Sequence, residues 1–213
     1  MLNFSSLLKK YSMAINGIVH IGAHKGQEIA EYRLNGIEKI VCFDPLEENC
    51  NFIKQNYTNI DVFQCALGNE EMTAQINVSN NDGLSSSILD PLLHLSYAPS
   101  VLFNEKRNIE IKKLNSFSSD ILKCNYLCID VQGYEYEVLQ GSDSVIDQFD
   151  YIFCEVNKEE TYKNNKLISE IDELLATYGF IRCETHWWGS GEPWGDALYV
   201  KNEYKDIGNL DIC

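Results

Sequence analysis

The chain has 213 residues, enough for one domain that buries a full core without disulfides or metals. Its 45% apolar and 23% charged residues exclude a disordered or membrane-embedded polypeptide. With 17 Lys and Arg against 32 Asp and Glu, the net charge is −15, a field that repels phosphate backbones and argues against nucleic acid or an anionic membrane as partner.

Residues 1–16 read as an N-terminal helical segment in which Lys9 and Lys10 break any signal-peptide run. No segment approaches the roughly 20 apolar residues of a membrane span, so a soluble, cytoplasmic protein is expected. "GIVHIGA" (17–23) is a strand, and Ala30, Leu34 and Ile37 then recur at i, i+4, i+7 of a helix. "KIVCFDP" (39–45) is a second strand, and Leu46, Cys50, Ile53 and Tyr57 continue at helical spacing. "DVFQCALG" (61–68) is a third strand and "TAQINVS" (73–79) a fourth, alternating one. Residues 80–107 carry turn residues and little periodicity, and such long loops are commonly functional, so this stretch is a candidate lid; "NIEIKKL" (108–114) is another short strand at its end.

The alternation then resumes. "YLCIDVQG" (126–133) is a strand, "YEYEVLQGS" opens a helix, and "YIFCEVN" (151–157) is the next strand. Leu167, Ile171, Leu174, Leu175 and Tyr178 mark a helix that Gly179 ends in a C′ position. "FIRCETHWW" (180–188) and "WGDALYV" (194–200) follow without a helix between them and form an antiparallel hairpin. Short apolar runs alternating with helices predict a doubly wound α/β fold with a mostly parallel sheet, closed by that reversed hairpin and spanning 1–213 as one domain. Of the eight cysteines, Cys42, Cys65, Cys128 and Cys154 lie in apolar runs and no C-x-x-C pair occurs, so reduced core thiols are expected.

Open α/β sheets bind ligands beyond the carboxyl ends of their strands. The polar residues there are His24, Lys25, Asp44, Asn69, Asp130, Gln132, Glu155 and Asn157. Asp44 ends the second strand 22 residues after Gly22, the distance at which an acid accepts hydrogen bonds from both ribose hydroxyls of an adenosine cofactor. The loop itself, Gly22 to Gly26, is spaced G-x-x-x-G and lacks the middle glycine that a pyrophosphate requires. S-adenosylmethionine carries no phosphate and needs only a turn of this kind. A reversed last strand also marks the methyltransferase variant of the doubly wound sheet. An NAD-dependent oxidoreductase and a non-catalytic cofactor-binding relative are the alternatives.

"VHIGAHKGQE", "CFDP", "CALGN", "SSSI", "LCIDVQGYEYEVLQGS", "EVN" and "WGDALYV" resemble, in order, the motifs of FkbM-type S-adenosylmethionine-dependent methyltransferases over residues 17–202. The resemblance implies a seven-stranded Rossmann-like sheet and O-methylation of a sugar, glycan or related small molecule. It implies a cofactor site built from His20, Gly22, Ala23, His24, Gly26, Asp44, Pro45, Ala66, Leu67, Ser86, Ser87, Asp130 and Gln132. Where the family has D-V-G-A-N, E-P and I-D-V-E-G, this chain has His20, Asp44 and Gln132. Asp for Glu keeps the ribose role, whereas Gln132 removes a charge from a position that would serve as base or metal ligand.

A sugar hydroxyl is a poor nucleophile and benefits from a general base. Asp130, Glu155, His94 and His186 are the candidates. Two carboxylates on neighbouring strand ends would suit Mg²⁺, but a third oxygen ligand is missing from the reading and no metal set is assigned. Glu135 reads as a helix-start acid, Ser85 as a lid residue near the cofactor, and Trp187, Trp188 and Trp194 as surfaces on which a sugar face can stack. Asp196 in "WGDA" either reaches the same pocket or caps a turn.

Overall fold

The computed structural model describes residues 2–189 and 191–202; Met1, Ser190 and residues 203–213 lie outside the described residues, and so does the end of the expected 1–213 domain. Five parallel strands form the body of the main sheet: β1 (Ile18–Ile21), β2 (Ile40–Asp44), β3 (Asp61–Gln64), and, after a long excursion, β7 (Tyr126–Ile129) and β8 (Tyr151–Asn157). The hairpin of β9 (Phe180–Trp187) and β10 (Trp194–Lys201) completes it in the order β3-β2-β1-β7-β8-β10-β9, with β10 antiparallel to both neighbours. The doubly wound sheet with its reversed C-terminal strand, expected from the sequence, is present.

The central strands β1, β2 and β7 are buried at every position because both faces are covered, whereas the edge strands β3 and β9 carry exposed polar residues. Val19 and Ile21 of β1 face one core with Leu127, Ile129, Val138 and Leu175, while Ile18 faces a second with Ile40, Tyr126 and Ile53. Helix α1 (Phe4–Lys10) seals the second core: Phe4 meets Tyr32 at 4.9 Å and Tyr126 at 5.4 Å, both edge to face. Helices α3 (Glu47–Asn56), α5 (Glu135–Gln140) and α6 (Ile168–Thr177) lie where the periodicity puts them, and Gly179 takes φ +79° just past α6. Helix α2 (Ile29–Leu34) differs from the reading: Ile29 and Tyr32 are its buried face, whereas Ala30 is exposed and Leu34 is 87% exposed. The helix ends before Ile37, so that residue never belonged to its periodicity.

The third strand is two strands. The chain leaves the main sheet at Cys65, and β4 (Ala66–Leu67) joins a separate three-stranded sheet, β4-β6-β5, with β5 (Met72–Val78) and β6 (Glu105–Lys112). The candidate lid hangs from this small sheet as the β5–β6 connection. Its last residues, 105–107, are already strand, and it contains one helical turn, α4 (His94–Tyr97). The seven described cysteines are free thiols, six of them buried. No helix among the described residues is long and apolar enough to cross a membrane.

Candidate active site

A cavity of about 580 Å³ opens at the carboxyl ends of β1, β2, β7 and β8, roofed by the lid and walled by β10. The topology explains its place, since crossovers leave β1 in opposite directions and part the connecting loops there. Of the cofactor set implied by the sequence, His20, Gly22, Ala23, His24, Asp44, Pro45, Ala66, Leu67, Ser86, Asp130 and Gln132 line it; Gly26 and Ser87 do not.

Gly22 is fixed by sterics. Its φ is +78°, and a Cβ there would lie 1.8 Å from the Asp130 carbonyl oxygen, so only glycine lets β1 turn against the end of β7. The loop's amides are turned inward: Gly22 and Ala23 N–H donate to the Phe43 carbonyl, Gly26 N–H to the Ala23 carbonyl, and His24 N–H to Asp44 Oδ2 at 2.9 Å. The cradle therefore lacks the array of free N–H groups that a pyrophosphate needs.

Asp44 is buried, and burial pushes its carboxyl up from 3.8 to about 6 against the pull of its hydrogen bonds. Besides His24 N–H, it accepts from Leu46 N–H at 2.9 Å and Asn49 Nδ2 at 3.0 Å. A carboxylate offers about four lone-pair sites, so one acceptor position remains. The carboxylate keeps that position for a ligand on the cavity side.

On the far side, Gln132 (φ +56°) and Gly133 (φ +100°) form a left-handed turn after β7. Glu135 straps it, Oε1 accepting from Val131 N–H at 3.0 Å and Gly133 N–H at 3.1 Å. The Gln132 amide donates to Asp130 Oδ1 and to Glu155 Oε2, each at 2.8 Å, bridging the two acids. Burial and the neighbouring Asp130 charge hold the carboxyls of Glu155 and Glu135 well above their ordinary range. Glu155 rises because its buried carboxyl lies beside the Asp130 carboxylate, with the Gln132 amide between them. Asp130, Glu135 and Glu155 present oxygens within 4.8 Å of one another, so the third oxygen the sequence reading lacked is Glu135. An amide hydrogen-bond donor already joins two of the three.

His20, buried with Nδ1 3.3 Å from Tyr32 Oη, is held neutral by its burial and adds no charge here. Asp196, opposite Glu155 in the β8–β10 register, is buried at the cavity wall and accepts from Leu2 N–H and the Trp188 indole. Of the two histidines considered as bases, His186 on β9 is exposed and outside the cavity. His94 lines the cavity, but its ring stacks on Trp194 at 5.9 Å and its Nε2 lies 3.1 Å from Ser85 Oγ.

The lid is tied down at several points. Gln27 donates to His24 Nδ1, which leaves Nε2–H to donate to the Asp82 carbonyl at 2.7 Å, and Lys25 pairs with the Asp82 carboxylate. Ser87 Oγ donates to the Gln132 carbonyl, and Tyr162 Oη lies 2.9 Å from the Ser85 carbonyl. Ser87 is thus occupied inside the protein. Ser85 is the serine with capacity left. Its Oγ accepts from Asn81 Nδ2, and from His94 Nε2 in the tautomer that leaves only a lone pair on the buried, unpartnered Nδ1. The Ser85 hydroxyl hydrogen then has no acceptor among the described residues.

Glu28, Asn49, Tyr134 and Tyr162 also line the cavity and escaped the sequence reading. Tyr162 had a usable signal, because it follows β8 and the strand-end rule extends to that loop. Trp188 and Trp194 line the cavity, whereas Trp187 lies under Lys158 at 3.9 Å.

Residues 20–182 match the family model of the methyltransferase FkbM domain. The chain is 24% identical over 176 residues to the 2-O-methyltransferase NoeI of Sinorhizobium fredii (strain NBRC 101917 / NGR234), covering 77% of this chain and 72% of that protein. The fold is that of magnesium protoporphyrin IX methyltransferase (ChlM) from Synechocystis PCC 6803 with bound S-adenosylmethionine, at TM-score 0.53 and 10% identity, over 93% of this chain and 76% of that one. It is also that of the methyltransferase domain of bacterial CtHen1, at TM-score 0.54 and 9% identity, over 92% of this chain and 93% of that one. These matches, with the inward-turned loop amides, set the NAD reading aside. The chain belongs to the FkbM-domain methyltransferases, enzymes that take their methyl group from S-adenosylmethionine.

Proposed function

We propose that the enzyme methylates a hydroxyl of a saccharide or a related small molecule. The observation that carries this reading is the Asp130–Glu155 pair, bridged by Gln132 at the base of a cavity with an aromatic wall. A hydroxyl must lose its proton as it is methylated, and a carboxylate held at the cavity by a neighbouring amide is a base placed to take it. Trp188, Trp194 and Tyr162 give flat apolar surfaces of the kind that pack on a sugar ring. The similarity to NoeI, a 2-O-methyltransferase, supports the same chemistry. The charge of −15 supports a small-molecule rather than a nucleic-acid acceptor.

When bound, S-adenosylmethionine supplies an electrophilic methyl on a sulfonium. The chain's part is to hold and to deprotonate. Gly22 and Ala23 make the turn, Asp44 offers its remaining acceptor position to a ribose hydroxyl, and Leu46, Ala66 and Leu67 give an apolar bed for the adenine. Asp130 lines the cavity and takes the acceptor proton, while Gln132 holds both carboxyls in place. Ser85 donates to a ligand oxygen from the lid. The lid's ties to His24, Lys25 and Gln132 exclude water.

Asp130→Asn should lower kcat by about 10²-fold or more, the usual contribution of a general base, while S-adenosylhomocysteine still binds. Unchanged kcat in this variant would remove the proton-accepting role.

A further inference from the structure

The cavity has a charge signature that goes beyond its reaction type. Five carboxylates line it, those of Glu28, Asp44, Asp130, Glu155 and Asp196, and no lysine or arginine does among the described residues. The nearby cations are already spoken for: Lys25 pairs with Asp82, Arg107 with Glu48 and Glu105, and Lys158 sits over Trp187. The glycine loop offers no array of amides in their place, because those of Gly22, Ala23, His24 and Gly26 are satisfied inside the protein. The donors left to a ligand are neutral ones, of which Ser85 is the clearest.

We infer that the acceptor enters without phosphate or carboxylate, as an uncharged or amine-bearing glycoside, and that nucleoside-diphosphate sugars are not substrates. A low-dielectric site lined by carboxylates rejects like charge, because desolvating a diphosphate there is offset by no counter-charge from the protein. A protonated amine, by contrast, meets the carboxylates it needs. This fixes the order of events: a glycosyl-transfer or carrier-hydrolysis reaction removes the nucleotide before the methyl group is added. The inference rests on the saccharide reading given above.

The test is a panel of methyl hexosides, their amino-deoxy counterparts and the corresponding nucleoside-diphosphate hexoses, each incubated with the full chain and S-adenosylmethionine labelled in its methyl group. Label should enter at least one uncharged or amine-bearing glycoside, with every nucleotide sugar at least 100-fold slower. Labelling of a nucleotide sugar at a comparable rate overturns the inference. So does a protein that binds S-adenosylhomocysteine but labels no glycoside. Absence of S-adenosylhomocysteine binding would instead strike the methyl-transfer reading on which the inference stands.

Discussion

Gln132 is the residue at which this chain departs most tellingly from its family's pattern. A glutamate in its place would put a third negative charge beside Asp130 and Glu155, whereas the amide gives each of them a hydrogen-bond donor at 2.8 Å. Gln132→Glu should therefore push the Glu155 carboxyl still further up and displace the kcat profile to higher pH; an unmoved profile contradicts the bridging role. Glu155→Gln makes a complementary case. It removes the buried carboxyl that Gln132 ties to Asp130, so kcat should fall while S-adenosylhomocysteine still binds, and an unchanged kcat would contradict a role for the pair. Much of this site was legible because carboxylates at strand ends stand out against apolar runs. The Asp130–Gln132–Glu155 bridge was not, since it depends on a left-handed φ at Gln132 that a sequence of ordinary residues does not announce. Nor was the occupation of Asp44 by three internal donors, two of which come from the helix start that follows it.

At the scale of elements, the glycine loop and the lid act together. Gly22→Ala should cost at least about 2 kcal/mol, from the left-handed strain alone, with more from the contact on the Asp130 carbonyl; chemical denaturation measures it, and a neutral result would mean the β1 and β7 ends can part. The Lys25–Asp82 pair is exposed and contributes little to global stability. Asp82→Asn, which keeps a side chain suited to the left-handed backbone there (φ +64°), should leave the melting temperature within about 2 °C of wild type yet speed the release of S-adenosylhomocysteine several-fold, read by stopped-flow fluorescence. Strand positions were readable because a sheet covered on both faces enforces continuous apolar runs. The face of α2 was not, because a six-residue helix carries too few turns to define a period, and Ala30 and Leu34 mimicked one. The switch from β3 to β4 at Cys65 also left no mark, since no turn residue separates the two segments and the break is made by tertiary pairing with β6.

The whole molecule carries a concentration of buried acids whose folded carboxyls sit above their unfolded values. Asp44 rises from 3.8 to about 6, and Glu135 and Glu155 also rise. The folded state therefore holds protons that the unfolded chain has released, so this stabilisation is complete below about pH 4 and is lost as pH climbs through 6 and beyond. The melting temperature should be higher at pH 5.5 than at pH 8 by about 5 °C, and Glu135→Gln, which keeps the strap on Val131 and Gly133, should flatten that slope. Saturating S-adenosylhomocysteine at a hundred times its Kd should add about 2.7 kcal/mol, whereas NADH should add nothing.

The chemistry itself is tested most directly by following a ¹³C-labelled methyl group from S-adenosylmethionine into product with the hexoside panel and reading its attachment by NMR. The prediction is a single methyl ether resonance correlated to a ring carbon of the acceptor, formed by the wild-type chain and slowed by about 10²-fold in Asp130→Asn. A methyl group on nitrogen or carbon, or an ether formed at the same rate without the Asp130 carboxylate, would contradict a hydroxyl acceptor deprotonated by the Asp130–Glu155 pair.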